Sequence, residues 1–360
     1  MKVIISGDNR FLPKEKNFEG FIHNILWKLC RLHTAGTFVF LSCDNDIAHH
    51  GNDSSVFLRV PFFAKPISKL WYSRKVASVI KKAGAGILIA LNGQPVSTPV
   101  HQILVISDAA DRKTIKDAVS CVHSGKRCSI IVSSFFMKQK LISEGMAESV
   151  VFVLPQSPGL IYQSFNWEQK ETIKNKYTEG REYFLMPLLA IPHQHIINTL
   201  KAFSQFKKWQ QSNMRLIIPG SLANNKKMQQ LLQTYRYRSD VLIIEETLDE
   251  KEYAAILASC MAMIYLPGDE GTGIVPAEAL QCGTPVITTA AVILTDTGGD
   301  AVLYCEPTDI KKLAGEMVKL YKDEKFRHTL ILKGKEQVLP LSEEAAIDRL
   351  GNYIQQMVTA

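Results

Sequence analysis

Two carboxylates, Glu270 and Glu278, bracket a run of small and turn-forming residues, Gly271-Thr272-Gly273-Ile274-Val275-Pro276. Gly271 and Gly273 let a backbone turn sharply and come close to a ligand. Pro276 suits the first turn of a helix, where the proton it lacks would have no partner. Gly283 ends that helix and Pro285 keeps it from resuming. A helix start collects unpaired N–H groups and partial positive charge, so it holds an anion, above all a phosphate. Carboxylates beside a phosphate would repel it. Glu270 and Glu278 are better read as acceptors for sugar hydroxyls, as acidic residues are for a nucleotide ribose. Together these residues suggest a nucleotide that carries a sugar. The same residue types would also suit a loop and helix that merely pack within an α/β domain.

Such a site needs strands to carry its loops, and the chain supplies them. Short apolar, β-rich runs alternate with amphipathic stretches, the pattern of βαβ units and parallel sheets. In the first half, strands are expected near Val3–Gly7, Thr37–Ser42, Val56–Val60, Gly86–Leu91, Ile103–Ser107, Ser129–Ser133 and Val150–Leu154. Helices are expected near Glu19–Leu32, Ser68–Ala83 and Phe136–Glu144. In the second half the strands are Tyr183–Met186, Arg215–Pro219, Val241–Glu245, Met261–Tyr265, Pro285–Thr289 and Ala301–Tyr304. Its helices are His195–Gln211, Lys226–Thr234, Lys251–Ser259, Pro276–Cys282, Asp309–Asp323 and Glu324–Gln337, with a last one over Ser342–Met357. The polar stretch Pro155–Arg181, with Pro155, Pro158 and Gly159, reads as the linker between domains.

The stretch from Glu270 to Val286 resembles the Glu-x7-Glu signature of the retaining GT-B glycosyltransferases, the group-1 or family-4 set. Thr272 stands in place of an aromatic, and Val275-Pro276 in place of an earlier proline. Other segments resemble the same family: Gly298-Gly299-Asp300-Ala301-Val302-Leu303-Tyr304 with Pro307 and Asp309, Ile196–Phe203 after Glu182–Leu185, and Leu216–Gly220. The likeness covers about residues 180–340 and is much looser before that. It implies a GT-B fold: two doubly wound, Rossmann-like α/β domains facing across a cleft. The first, residues 1–165, would take the acceptor. The second, 166–341, would take the nucleotide-sugar donor, and 342–360 would form a helix crossing back onto the first. By the resemblance Glu278 would hold the ribose, Glu270 the donor sugar, and the Gly271, Thr272, Gly273 and Ile274 amides the diphosphate. Gly220 would lie in the glycine turn on the donor side.

The pattern breaks where charge matters most. Active members carry Gly-x-x-x-x-Arg-Lys between the first donor-domain strand and its helix. Here that stretch is Leu188–His195, with His193 at the arginine and Gln194 at the lysine. Sugar transfer builds negative charge on the departing diphosphate, and fixed positive charge aimed there is usually the largest catalytic term, about 3–4 kcal/mol per contact. His193 would supply it only when protonated. His193 and His195 would equally serve as polar residues capping the start of a helix. The family's His-Asp at the end of a first-domain strand is Ser107-Asp108 here, a contact for donor sugar or acceptor, or simply a turn or helix cap.

Composition bounds these readings. The 360 residues suffice for two domains, and 46% hydrophobic content with mean hydropathy near zero is ordinary for a soluble protein. No run of 18 apolar residues and no signal-peptide architecture is visible. Seven scattered cysteines without Cys-x-x-Cys point to reduced thiols and a cytoplasmic setting. No Asp-x-Asp motif is present, so neither a metal nor another cofactor is expected, the nucleotide-sugar being a substrate. Residues 1–165 hold 20 Lys and Arg against 11 Asp and Glu; the remainder holds 22 against 24. The basic half suits a lipid-linked acceptor and peripheral contact with an anionic membrane, or is a solvated surface. Nothing resembles a nucleic-acid-binding module.

Three functions fit to different degrees. The leading one is transfer of a sugar from a nucleotide-diphosphate sugar to a glycan or lipid-linked acceptor, with retention. A second is a degenerate GT-B protein that keeps its cleft and acts as a binding or partner subunit. A third, a nucleotide-sugar epimerase, is disfavoured because Gly7-Asp8-Asn9-Arg10 carries no Gly-x-Gly-x-x-Gly.

Overall fold

The computed structural model describes residues 2–6, 18–32, 38–42, 55–57, 68–107, 110–125, 127–221, 226–268 and 273–359. Its contacts divide the chain into two units, Met1–Ser157 with Glu343–Ala360, and Pro158–Ser342. Asp108, Glu270, Gly271 and Thr272 lie outside the described residues.

The first unit is built from β1 (Lys2–Ser6), α1 (Phe18–Leu32), β2 (Phe38–Ser42), β3 (Ser55–Phe57), α2 (Ser68–Ala83), β4 (Ala85–Ala90), β5 (His101–Ile106), α3 (Arg112–His123), β6 (Cys128–Val132), α4 (Phe135–Ser143) and β7 (Val151–Val153). All strands pair in parallel, in the order β3-β2-β1-β4-β5-β6-β7. Strands such as Cys128-Ser-Ile-Ile-Val132 are buried along their whole length, as expected when helices cover both faces of a parallel sheet.

The second unit holds α5 (Trp167–Thr178), β8 (Tyr183–Leu185), α6 (His193–Gln210), β9 (Arg215–Pro219), α7 (Lys226–Gln233), β10 (Val241–Ile244), α8 (Glu250–Ser259), β11 (Ala262–Tyr265), α9 (Ile274–Gln281), β12 (Val286–Thr288), α10 (Val292–Gly298), β13 (Leu303–Tyr304), α11 (Ile310–Lys322) and α12 (Glu324–Val338). Its parallel sheet runs β10-β9-β8-β11-β12-β13. The chain steps outward from β8 to β10, then returns to lay β11 on the other side of β8. That reversal makes the carboxyl ends of β8 and β11 the place where such sheets bind ligands. The last helix, α13 (Glu343–Thr359), belongs to the first unit. Ala346, Leu350, Tyr353 and Ile354 join the core formed by α1 and its strands, and Tyr353 stacks on Phe152 at 4.2 Å.

Helix α6 shows why these residues form these elements. Ile196, Leu200, Phe203 and Phe206 recur at helical spacing and are buried against β8 and β9, in one core with Phe184 and Leu216. Gln211 at φ 49° closes the helix. Helix α9 stops by a Schellman turn: Gly283 takes φ 72°, its N–H donates to the Leu280 carbonyl, and Thr284 N–H donates to that of Ala279.

Three helices were not anticipated. Helix α5 occupies the stretch expected to be linker. It buries only Lys174 and Thr178, so its sequence has no apolar stripe, and it is set up by a reciprocal cap between Asn166 and Gln169. Helix α3 starts on the Asp111 cap and buries Ile115, Ala118 and Cys121, small or single apolar residues in a polar run. The third, α10, is only seven residues long. Among the described residues no helix is long and apolar enough to cross a membrane.

Candidate functional site

At the carboxyl edge of the second sheet, α6 leaves β8 and α9 leaves β11 side by side. Two bonds tie their loops together. Gly268 N–H donates to the Ala190 carbonyl at 3.1 Å, and His195 Nδ1 lies 2.9 Å from the Leu266 carbonyl. A carbonyl only accepts, so Nδ1 of His195 carries the proton and Nε2 is left to face other groups.

Glu278 projects from the second turn of α9 and is only 7% exposed. Its carboxylate accepts a hydrogen bond from the Tyr162 phenol, itself buried. One turn further on, Gln281 donates to the carbonyls of Gly159 (3.1 Å) and Tyr162 (2.8 Å), clasping that turn against the helix. Tyr253 meets Tyr162 edge-on, with ring centroids 6.5 Å apart. Burial, and then the charge of Glu278, push the Tyr162 and Tyr253 phenols far above their usual range, and the Cys282 thiol up to about 12. These neighbours therefore stay protonated. A carboxylate has about four acceptor positions, more than a single phenol fills.

The start of α9 is arranged differently from its sequence. Gly273 occupies the cap position, and a glycine has no side chain with which to bond the first amides. A Cβ on Gly273 would come within 2.4 Å of Thr297 Oγ1, so this glycine makes room for α10. Gly220, at the end of β9, adopts φ 126°; its N–H donates to the Ile244 carbonyl, and Leu188 fills the space beside it.

The start of α6 carries no lysine, arginine or acid. Pro192 is its cap, and His193 and Gln194 are exposed in its first turn. Gln194 Nε2 donates to Asn198 Oδ1 at 3.0 Å, and Asn198 Nδ2 to the Pro307 carbonyl at 2.9 Å. Of the anticipated residues, His193, Gln194, Gly220, Gly273, Ile274 and Glu278 thus share one sheet edge. Sequence reasoning missed Tyr162, and it read His195 as no more than a cap. It also missed Thr288 and Thr289 at the end of β12, whose hydroxyls are buried without a hydrogen-bond partner among the described residues. Unpaired buried hydroxyls beside a ligand edge are poised to bond something brought there.

Comparison with known proteins bears on the fold that carries this edge. The family described as Glycosyl transferases group 1 matches residues 168–337. A solved glycosyltransferase from Rickettsia africae aligns with TM-score 0.75 at 13% identity, covering 99% of this chain and 98% of that one. The Anabaena protein HepE in complex with UDP also gives TM-score 0.75, at 11% identity, covering 99% and 100%. In sequence, the O-antigen chain mannosyltransferase RfbU of Salmonella typhimurium is 26% identical over 189 residues, 52% of this chain and 50% of the relative. The mouse alpha-1,3/1,6-mannosyltransferase ALG2 is 25% identical over 148 residues, 39% of this chain and 34% of the relative. The match thus spans half or less of each of these relatives. The chain has the GT-B fold, and the match to the Glycosyl transferases group 1 model falls within its second unit.

Proposed function

We propose that this protein transfers a sugar, with retention of configuration, from a nucleotide-diphosphate sugar to a glycan or lipid-linked acceptor. The reading rests on one observation above all: the buried Glu278 carboxylate, held by Tyr162 at the reversal point of the second sheet. In this role Glu278 accepts hydrogen bonds from ribose hydroxyls and Glu270 contacts the donor sugar. The Gly271–Ile274 amides take the diphosphate, with His193, Gln194 and Gly220 bordering it. Asp108 on the first unit contacts donor sugar or acceptor. The relatives are named mannosyltransferases, which favours a mannosyl donor, and HepE binds UDP. The reaction needs no metal in this scheme. It runs in the cytoplasm, with the basic first half resting against anionic lipid.

Calorimetric titration with UDP, GDP, ADP and their sugar conjugates tests the donor assignment, with Glu278→Ala beside the wild type. Selective binding that the variant loses is the expected result; equal affinity in both proteins would refute the ribose role.

A second reading has its own observation. The first turn of α6 lacks the fixed cations that stabilise a departing diphosphate. A protein of this kind would bind nucleotide-sugar without turning it over and would act as a partner subunit. Turnover that appears only in His193→Arg/Gln194→Lys would favour it.

A further inference from the structure

At the opposite edge of the second sheet, where β8, β9 and β10 begin, the chain leaves an open cavity of about 500 Å³. It is bordered by the turn after α5, the end of α6, the loop into β9 and the turn into β10. Four of its side chains are cationic, Arg181, Lys207, Lys208 and Arg236, and one, Asp240, is acidic.

These charges fall into two sets. Lys207 is buried and fully engaged: it pairs with Asp240 at 3.0 Å and donates to the carbonyls of Ser212 and Met214. Arg181 pairs with Glu179 at 3.1 Å. Lys208 and Arg236 are exposed and have no carboxylate in salt-bridge reach among the described residues. The Arg236 guanidinium lies 5.5 Å from the centre of the Tyr237 ring, which holds it at the cavity. Ser212 adds a buried hydroxyl with no hydrogen-bond partner among the described residues. Two uncompensated cations and an unused donor, set on a floor already neutralised by an internal ion pair, suit a small anion of high charge. Arginine beside lysine with a hydroxyl is the donor set that phosphate oxygens accept.

We propose that this cavity binds a phosphate group, held by Lys208 and Arg236, at a site separate from the donor edge. A phospholipid headgroup and a soluble phosphate offer the same chemistry. The proposal stands whether or not the donor reading holds, because none of these residues lies at the carboxyl ends of the strands.

The test compares wild type with Lys208→Ala/Arg236→Ala, both truncations of exposed side chains. One arm titrates inorganic pyrophosphate by calorimetry. The other sediments the protein with vesicles of phosphatidylcholine alone or containing phosphatidylglycerol. Loss of two charges near an anionic surface should weaken binding about thirtyfold. A loss in the pyrophosphate arm identifies a soluble phosphate as ligand. A loss confined to the phosphatidylglycerol vesicles identifies a headgroup. Equal behaviour of the two proteins in both arms, or no binding of either probe by the wild type, overturns the site. Circular dichroism checks that the variant is folded, and unaltered nucleotide binding checks that the donor edge is untouched.

Discussion

Helices α6 and α9 leave neighbouring strands at the same edge of one sheet, yet they begin in opposite ways. Helix α9 is buried from Val275 to Leu280, stopped by a Schellman turn, and carries a carboxylate held by a phenol. The first turn of α6 is exposed, capped by no side chain, and carries two histidines and a glutamine. On the proposed reading, the difference separates two tasks of one site. Recognition of a sugar hydroxyl needs a fixed acceptor, and α9 supplies it by burial. Neutralising a diphosphate needs fixed cations, and α6 offers only the amides and partial charge of a helix start.

The largest effect should come from α9. Glu278→Ala is expected to lower nucleotide affinity by about 1.5–3 kcal/mol, the range for a hydrogen bond to a charged group. Calorimetry reads it directly, and a loss smaller than tenfold would remove the contrast between the helices.

Next comes α6. His193→Arg/Gln194→Lys should raise nucleoside-diphosphate affinity by about 1–2 kcal/mol, with a steeper loss in salt. The same substitutions should cost some stability, because cations oppose the positive end of the helix. Unchanged affinity and salt dependence would mean that the α6 start lies away from the phosphates.

Gly283→Ala tests the stop of α9 without touching its carboxylate. The left-handed φ of 72° and a Cβ 3.0 Å from Ser164 Oγ predict a loss of about 1–2 kcal/mol in thermal or urea unfolding. An undiminished midpoint would show that the turn relaxes freely.

The smallest effect should come from His195→Ala. Removing the bond to the Leu266 carbonyl should cost about 0.5–1.5 kcal/mol, seen in the urea midpoint. A much larger loss of nucleotide affinity than of stability would make His195 a ligand contact rather than a tie between loops.

Much of the second unit was legible beforehand. β9 occupies Arg215–Pro219 as its apolar run and flanking residues suggest, and α2 spans Ser68–Ala83 likewise in the first unit. Those segments carry their own period and their own stops. Helix α5 was illegible because its stability comes from a cap and from partners on α8: Lys176 and Tyr177 both bond Glu252. At the site, Glu278 stood out through its spacing from Glu270. Tyr162 did not, since the clasp that brings it there joins residues 119 apart in the chain. That Gly273 also makes room for Thr297 of α10 was not legible, since it depends on where that later helix packs.

By itself, then, the sequence determined the parallel α/β character of both units, the stop at Gly283 and the pair of acidic residues around a glycine-bearing turn. Each follows from local rules: apolar period, the φ a residue tolerates, the proton a proline lacks. Only the tertiary structure decided that Glu278 is buried beneath Tyr162, that His195 is tied to Leu266, and that cations gather where β8, β9 and β10 begin. Burial, hydrogen-bond partners and the grouping of charge depend on which distant segments the sheet order brings together.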